Sequence, residues 1–233
     1  MTCLPLNPRL PEPAPADPAG DAPPRLALPR SLRSPGPRFE RTKRGIDVAG
    51  SGLLLLLVSP LLGLAAAWIA LVGRRDGGGV IYSQWRVGRD GYLFRIHKLR
   101  TMRVDAESTG ARFARDRDPR VLPGCHWMRR SHVDELPQLW NILRGDMSLV
   151  GPRPERPEMF DALRGAAPRF ERRLAGKPGL TGLAQLRRGY TNDTDGARAK
   201  LAWDLRYLRR RSIRGDVQLM LETLPKFWDD AAC

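Results

Sequence analysis

Two adjacent carboxylates are the first residues here whose types and spacing could do chemistry. Asp134 and Glu135 lie in the densest run of polar functional groups in the chain. It reads Arg129-Arg130-Ser131-His132-Val133-Asp134-Glu135-Leu136-Pro137-Gln138-Leu139-Trp140-Asn141 and continues to Arg144-Gly145-Asp146. At a helix N-terminus the positive end of the macrodipole keeps such carboxylates ionised. One could attack a phosphorus atom and form an acyl phosphate while the other holds a divalent cation. Mg²⁺ prefers hard oxygens, commonly one or two carboxylates plus substrate phosphates, and it offsets the repulsion between an anionic nucleophile and a diphosphate. Arg130 and Arg153 supply forks suited to phosphate oxygens. The same Asp-Glu before Leu136-Pro137 also reads as a well-capped helix start without chemistry, and arginine-rich loops are commonly solvated surface.

Other chemistries find no support. His97, His126 and His132 are scattered, and no Gly-x-Ser-x-Gly elbow occurs. There is no P-loop and no Gly-x-Gly-x-x-Gly. Cys3, Cys125 and Cys233 are far apart and odd in number, so no disulfide framework is implied and a reducing compartment fits. Without a CxxC or a His-x-x-x-His pair, a zinc site is not expected.

Several elements must position the dyad. Asp134 is a candidate N-cap for a helix over 135–143, with Pro137 in its first turn and Leu136, Leu139, Trp140 and Leu143 on one face. Gly145 would end it. Residues 151–154, Gly-Pro-Arg-Pro, must form a rigid irregular loop, a helix is expected over 155–175, and 177–182 reads as loop again. Upstream, 80–84 and 92–97 read as strands about an Asp90-Gly91 turn. Lys98, Arg100 and Arg103 then place three cations within six residues, before a polar stretch over 104–124 read as loop or weak helix. Residues 197–210 form an amphipathic pattern, with Leu201, Leu205 and Leu208 opposite Arg198, Lys200, Arg206, Arg209 and Arg210. That pattern suits an interfacial helix, or a basic, solvated helix face. A last helix is expected over 216–228.

Residues 48–72 carry no charge, and as a helix they would be about 37 Å long, more than a ~30 Å hydrocarbon core. The run starts too late and is too long for a signal peptide. Arg41, Lys43 and Arg44 precede it and Arg74 and Arg75 follow it, so the positive-inside rule makes both ends cytoplasmic. Pro60 removes a backbone donor and kinks a helix, and the Ser59 hydroxyl can cover a freed carbonyl. A helix that enters the membrane, bends at Ser59 and Pro60 and returns to the same face meets both facts; a tilted span is the other reading.

The chain of 233 residues has a net charge of +15, most of it in residues 41–233, which calls for an anionic partner. Residues 1–40 hold eleven of the 21 prolines and little periodic apolar pattern, the composition of a disordered lead. The organisation expected is therefore a lead over 1–40, a membrane helix with basic flanks over 41–75, and a cytoplasmic catalytic domain over 76–233. The fold class is α+β: a mostly helical domain with a small β-hairpin, anchored by a re-entrant membrane helix and interfacial amphipathic helices.

Four stretches, residues 43–62, 82–107, 134–154 and 177–185, together resemble the bacterial sugar transferases, the monotopic phosphoglycosyl transferases that prime glycan and polysaccharide synthesis on undecaprenyl phosphate. The resemblance covers the chain from about Arg41 onward, in the family's order. It implies that the membrane helix is re-entrant and bent at the Ser-Pro. It implies that Asp134 is the nucleophile and Glu135 the Mg²⁺ ligand, in a ping-pong transfer from a UDP-sugar to a polyprenyl phosphate with release of UMP. Arg153 would contact the nucleotide or its phosphates, and Lys98 and Arg100 would face the same anionic pocket. Arg130, Gln138 and Asn141, from the polar run, are assigned to the substrate with them. The expected location is the inner membrane with the catalytic domain on the cytoplasmic face, and a homodimer is compatible with this. Leu99 stands where the family usually has an aromatic, and His132 where a small polar residue is usual. Sugar selection is expected from residues 191–200. With a single hydrophobic run, the multi-span membrane domain fused to some relatives is not expected.

Two other functions compete. A non-catalytic basic membrane adaptor would be indifferent to Asp134 and Glu135. Nucleic-acid binding lacks a reader motif and is opposed by the hydrophobic run, so no nucleic-acid partner is expected.

Overall fold

The computed structural model describes residues 35–106, 108, 118–188 and 196–225. Its longest element, α1, is Pro37–Val72. Pro37 starts it, where a missing N–H costs nothing, and the Gly73 N–H closes it on the Ile69 carbonyl. The last four residues of the segment read as a lead, and the basic flank after it, are therefore helical; residues 1–34 lie outside the described residues. The helical assignment continues through Pro60 without interruption. The proline ring removes the N–H that would reach the Leu56 carbonyl four residues back, and the Ser59 hydroxyl donates to that carbonyl instead, at 2.8 Å.

One stripe of α1 packs on protein along its length. Asp47, Ser51, Leu55, Val58, Leu62, Ala65, Ile69 and Val72 recur at steps of three or four and meet the body of the protein. Leu53, Leu56, Leu57, Leu64 and Leu71 point outward, each 59–73% exposed. Full burial of one such side chain is worth about 1.5–3 kcal/mol. A contiguous row of them marks a lipid-contacting surface, and α1 is long and apolar enough to cross a membrane. The protein is membrane-associated.

The hairpin forms as expected but is longer than expected: β1 (Ile81–Val87) pairs antiparallel with β2 (Leu93–Leu99). Asp90 and Gly91 take the two positive φ values, 53° and 82°, that a type I′ turn needs. A short helix not read from the sequence, α2 (His126–Arg130), follows. Much of the polar stretch before it, residue 107 and residues 109–117, lies outside the described residues.

The helix expected over 135–143 begins later, as α3 (Gln138–Arg144), and Asp134 is not its N-cap. His132, left-handed at φ 54°, turns the chain, and a 3-10 turn over Val133–Glu135 carries the dyad. Gly145 ends α3 in the left-handed conformation, as expected. Two further strands come from stretches not read as such: β3 (Ser148–Val150) pairs in parallel with β4 (Gly179–Thr181), within the segment expected to be loop.

The helix expected over 155–175 is broken. α4 (Pro157–Ala166) stops before Pro168, Arg169 turns left-handed at φ 68°, and a 3-10 segment spans Phe170–Ala175. After α5 (Leu183–Arg188), α6 (Ala197–Arg210) matches its expected range. Its apolar stripe packs on protein rather than at a lipid interface: Leu201 and Leu208 are buried and Leu205 packs against the core. The last helix, α7 (Ile213–Thr223), starts earlier than expected because Ser212 caps it, accepting from the Gly215 N–H at 3.1 Å. Residues 226–228 of the expected range are outside the described residues.

The main core joins Phe94 and Ile96 of β2 to Leu139 and Ile142 of α3, Leu149 and Val150 of β3, and Tyr207 and Leu208 of α6. It fixes β2, α3 and β3 against one another, and the candidate site sits where they meet.

Candidate active site

Four elements converge on the dyad. The 3-10 turn presents Asp134 and Glu135, both buried, at 6% and 7% exposure. β2 delivers Lys98, the loop after β3 delivers Arg153, and the end of α2 delivers Arg129. Consecutive side chains of a 3-10 turn diverge by about 120°, so the two carboxylates meet different neighbours while their charges stay coupled.

Glu135 is clamped. Its Oε1 accepts from Lys98 Nζ at 2.6 Å and from Arg153 Nη2 at 2.8 Å, and its Oε2 accepts from Arg153 Nη1 at 3.3 Å. Burial alone would raise its pKa, but the Arg153 and Lys98 charges and their hydrogen bonds outweigh it and hold the carboxyl well below its ordinary value. Asp134 has no hydrogen-bond partner among the described residues. Burial, then the Glu135 charge, push its pKa up from 3.8 to about 6, against the pull of Lys98, Arg129 and Arg153. Burial also lowers the pKa of Lys98, with Glu135 opposing. Two chemically identical groups have thus been separated: one permanently charged and tied to cations, the other unpaired and poised near neutrality.

The loop carrying Arg153 is held by its backbone. Gly151 N–H donates to the Thr181 carbonyl at 2.9 Å and Gly179 N–H to the Pro152 carbonyl at 3.0 Å. A Cβ on Gly151 would lie 2.3 Å from the Lys177 carbonyl oxygen, and one on Gly179 would lie 2.0 Å from the Gly151 nitrogen. Only glycines permit that approach. Behind the loop, buried Arg173 donates to the Arg153 carbonyl at 2.9 Å, to Glu155 at 3.2 Å and to Asp204 at 2.7 Å, and lies 4.9 Å over the Phe170 ring. Lys200 completes this network by pairing with Glu155. None of it was read from the sequence. The available signal was Asp204, a charge within the apolar stripe of α6 at the same helical spacing as Leu201, Leu205 and Leu208.

Asp134, Glu135, Lys98 and Arg153 thus come together; Arg100 and Asn141 are committed to other partners. β2 ends at Leu99, and Arg100 turns to the end of α1. There it donates to the Gly78 carbonyl at 3.0 Å and to that of Gly79, and pairs with Asp76 at 3.5 Å. Arg130 is exposed; it is Arg129 that acts on Asp134, and Arg129 also donates to the Thr101 hydroxyl at 3.3 Å. Asn141 is fully buried as a clamp on β2: its Nδ2 donates to the Arg95 carbonyl at 2.7 Å and its Oδ1 accepts from the His97 N–H at 3.1 Å. It positions the strand that carries Lys98. Gln138 is buried, and its Nε2 is without a partner. Half of the expected sugar-selecting segment, residues 191–195, lies outside the described residues.

Among the described residues, no group of three or more His, Cys, Asp and Glu side chains converges as a metal cage. The adjacent carboxylates nonetheless fit Mg²⁺ bound in the way this ion favours, through one or two protein oxygens with the remainder from phosphate and water.

Comparison with known proteins identifies relatives along most of the chain. A family profile described as "Bacterial sugar transferase" matches residues 38–230. A UDP-N-acetylgalactosamine-undecaprenyl-phosphate N-acetylgalactosaminephosphotransferase of Aeromonas hydrophila is 38% identical over 190 residues, 82% of this chain and 44% of that protein. A UDP-glucose:undecaprenyl-phosphate glucose-1-phosphate transferase of Caulobacter vibrioides is 39% identical over 201 residues, 84% of this chain and 74% of that protein. The exopolysaccharide production protein ExoY of Rhizobium meliloti is 36% identical over 198 residues, 78% and 84% of the respective chains. The chain thus spans less than half the length of the first of these relatives and most of the other two.

Proposed function

The chain belongs to the bacterial sugar transferases, and we propose that it moves a sugar 1-phosphate from a UDP-sugar to undecaprenyl phosphate, an early membrane step of exopolysaccharide or glycan synthesis. The observation that carries this reading is the split dyad: an unpaired, buried Asp134 beside a Glu135 fixed by Lys98 and Arg153. Asp134 attacks the phosphorus that bears the sugar. The bridging P–O bond breaks, its electron pair leaves on UMP, and an aspartyl phosphosugar remains. An oxygen of the lipid phosphate then attacks the same phosphorus and displaces the Asp134 carboxylate, giving a polyprenyl diphosphate sugar. Lys98, Arg129 and Arg153 stabilise the charge that develops on the transferred group. Mg²⁺, held by Glu135 and the donor phosphates, would supply charge neutralisation.

The anchor supports the same reading. Residues on both sides of Pro60 dock on one folded body: Asp47 receives the Ser148 hydroxyl at 2.9 Å, and the Trp68 indole donates to the Pro123 carbonyl at 3.2 Å. A helix crossing the bilayer would carry these positions to opposite faces. A re-entrant or in-plane α1 keeps them together, on the cytoplasmic face of the inner membrane, where the acceptor phosphate lies.

The test is UMP release by detergent-solubilised protein given a UDP-sugar panel, undecaprenyl phosphate and Mg²⁺, with Asp134→Ala alongside. Release by the wild type, together with labelled phosphosugar trapped on it but not on the variant, is expected. Activity that survives in the variant removes Asp134 as nucleophile. A folded wild type that releases no UMP from any donor sinks the transfer reading.

A further inference from the structure

The hairpin register brings one more cation to the site. Tyr82, Gln84 and Arg86 lie opposite Lys98, Ile96 and Phe94, and cross-strand partners share a face. Arg86 is therefore on the Lys98 side of the hairpin. Its guanidinium is anchored at two nitrogens: Nη1 donates to the Pro154 carbonyl at 3.2 Å, and Nη2 to Gln84 Oε1 at 2.9 Å. Its Nε is buried without a partner.

The carboxylates near Arg86 are paired with other cations. The charge acting most strongly on it is another cation, Arg153, ahead of Glu155, Arg156 and Glu135. Both of those carboxylates are committed elsewhere, Glu135 to Lys98 and Arg153, and Glu155 to Arg173 and Lys200. Two neighbouring guanidiniums with an orphaned buried donor describe an anion site that no carboxylate among the described residues fills.

The hairpin gives this site a direction. Lys98 is opposite Tyr82, and Arg86 lies four residues further along β1, away from the dyad. Arg153 bridges the two: its guanidinium reaches Glu135, and the next residue, Pro154, accepts from Arg86. Phosphoryl transfer places the leaving oxygen roughly in line with and opposite the nucleophile. A diphosphate whose attacked phosphorus sits at Asp134, between Lys98, Arg129 and Arg153, therefore extends its second phosphate past Arg153 towards Arg86.

The geometry points to Arg86 as the residue that holds the leaving nucleotide phosphate in the first half-reaction, an assignment that rests on the transfer proposed above. As Asp134 bonds to phosphorus and the bridging P–O bond breaks, the electron pair settles on the UMP phosphate. Arg86 and Arg153 receive that charge. In the second half-reaction UMP has left, and Arg86 has no role in it.

The two half-reactions separate this from a structural role. Full-length wild type, Arg86→Lys and Arg86→Ala would be compared in detergent. The first readout is UMP release and adduct formation without lipid, the second the chase of pre-formed adduct with polyprenyl phosphate, and the third protection from thermal unfolding by UMP. In Arg86→Ala the first step should slow by about 100-fold, the scale of losing one preorganised donor to developing charge. The chase should stay within about twofold of wild type, and UMP protection should disappear; Arg86→Lys, which keeps charge without the fork, should fall between. Equal slowing of both half-reactions would overturn the assignment, because it would mean that Arg86 acts only by holding the loop through Pro154. An unaffected first step would overturn it too. A wild type that forms no adduct removes the transfer reading instead, and UMP protection then decides: protection retained by Arg86→Ala ends the assignment.

Discussion

Asp134→Asn should abolish transfer and stabilise the protein. The ordinary carboxyl value of 3.8 is displaced to about 6 by burial and by Glu135. At about 1.4 kcal/mol per pH unit of displacement, this gap amounts to about 3 kcal/mol carried against folding once Asp134 is ionised in both states. The sign follows from the direction: a raised folded-state pKa means that the folded protein binds the proton more tightly, so stability falls as pH rises through about 6. At pH 5 the folded-state carboxyl is mostly protonated, and linkage leaves about half of the penalty. An isosteric amide carries no charge to desolvate, so the variant should gain up to about 3 kcal/mol at pH 8 and about half of that at pH 5. With a shift of about 2–4 °C per kcal/mol for a chain of this size, the pH 8 gain is several degrees in Tm. Thermal unfolding of wild type and variant in the same micelles at pH 5 and pH 8 measures both. A variant less stable than wild type at pH 8, or a gain identical at the two pH values, would refute the reasoning that Asp134 is held charged against its environment.

Glu135→Gln should go the opposite way. It removes the carboxylate shared by the part-buried Lys98 and Arg153, at a cost below the roughly 3–5 kcal/mol of a fully buried pair, and the lowered Glu135 pKa means that the stability at stake is present above its ordinary 4.5 and is lost as pH falls. Chemical denaturation at pH 8 measures it, and UMP release should fall with it. Asn141→Leu should orphan the Arg95 carbonyl and the His97 N–H, at a cost of about 1–3 kcal/mol each when left unpaired. It should also lower turnover through Lys98 although Asn141 touches no substrate; unfolding and UMP release, measured together, check this.

The residues of the candidate site were legible wherever they adjoin in sequence. Asp134 with Glu135 and the Gly-Pro-Arg-Pro loop both carry local signals, and the Asp-Gly turn fixed the hairpin. What could not be read depends on where a strand stops or which way a helix faces. Lys98 and Arg100 look equivalent two residues apart, but β2 ends between them, and the second donates to the Gly73, Gly78 and Gly79 carbonyls after α1 instead of facing the dyad. Asn141 looks like part of a polar cluster, yet the face of α3 that it shares with Leu139 and Ile142 is buried. The strands β3 and β4 are three residues each, too short for a period to register, and they exist because glycines let two backbones approach. Arg173 and Asp204 are partners across 31 residues, a pairing that no local pattern announces.

The connection between membrane and active site runs through buried polar contacts at the foot of α1. Asp47 accepts from the Ser148 hydroxyl at 2.9 Å and from the Leu149 N–H at 3.0 Å, which pins β3 to the helix. Lys43 pairs with Asp216, and Asp216 and the Val150 carbonyl share the single proton of the Tyr207 hydroxyl. Arg44 donates to the Ile142 and Leu143 carbonyls at the end of α3. These groups hold the last turn of the helix that follows the dyad and the strand that leads into Gly151 and Arg153. Buried polar networks of this kind are costly unless fully partnered, but they tolerate only one arrangement. A displacement of α1 therefore has a direct path to the site, through Asp47 to β3 and through Arg44 to α3, and so to the loop of Arg153 and the turn of Asp134.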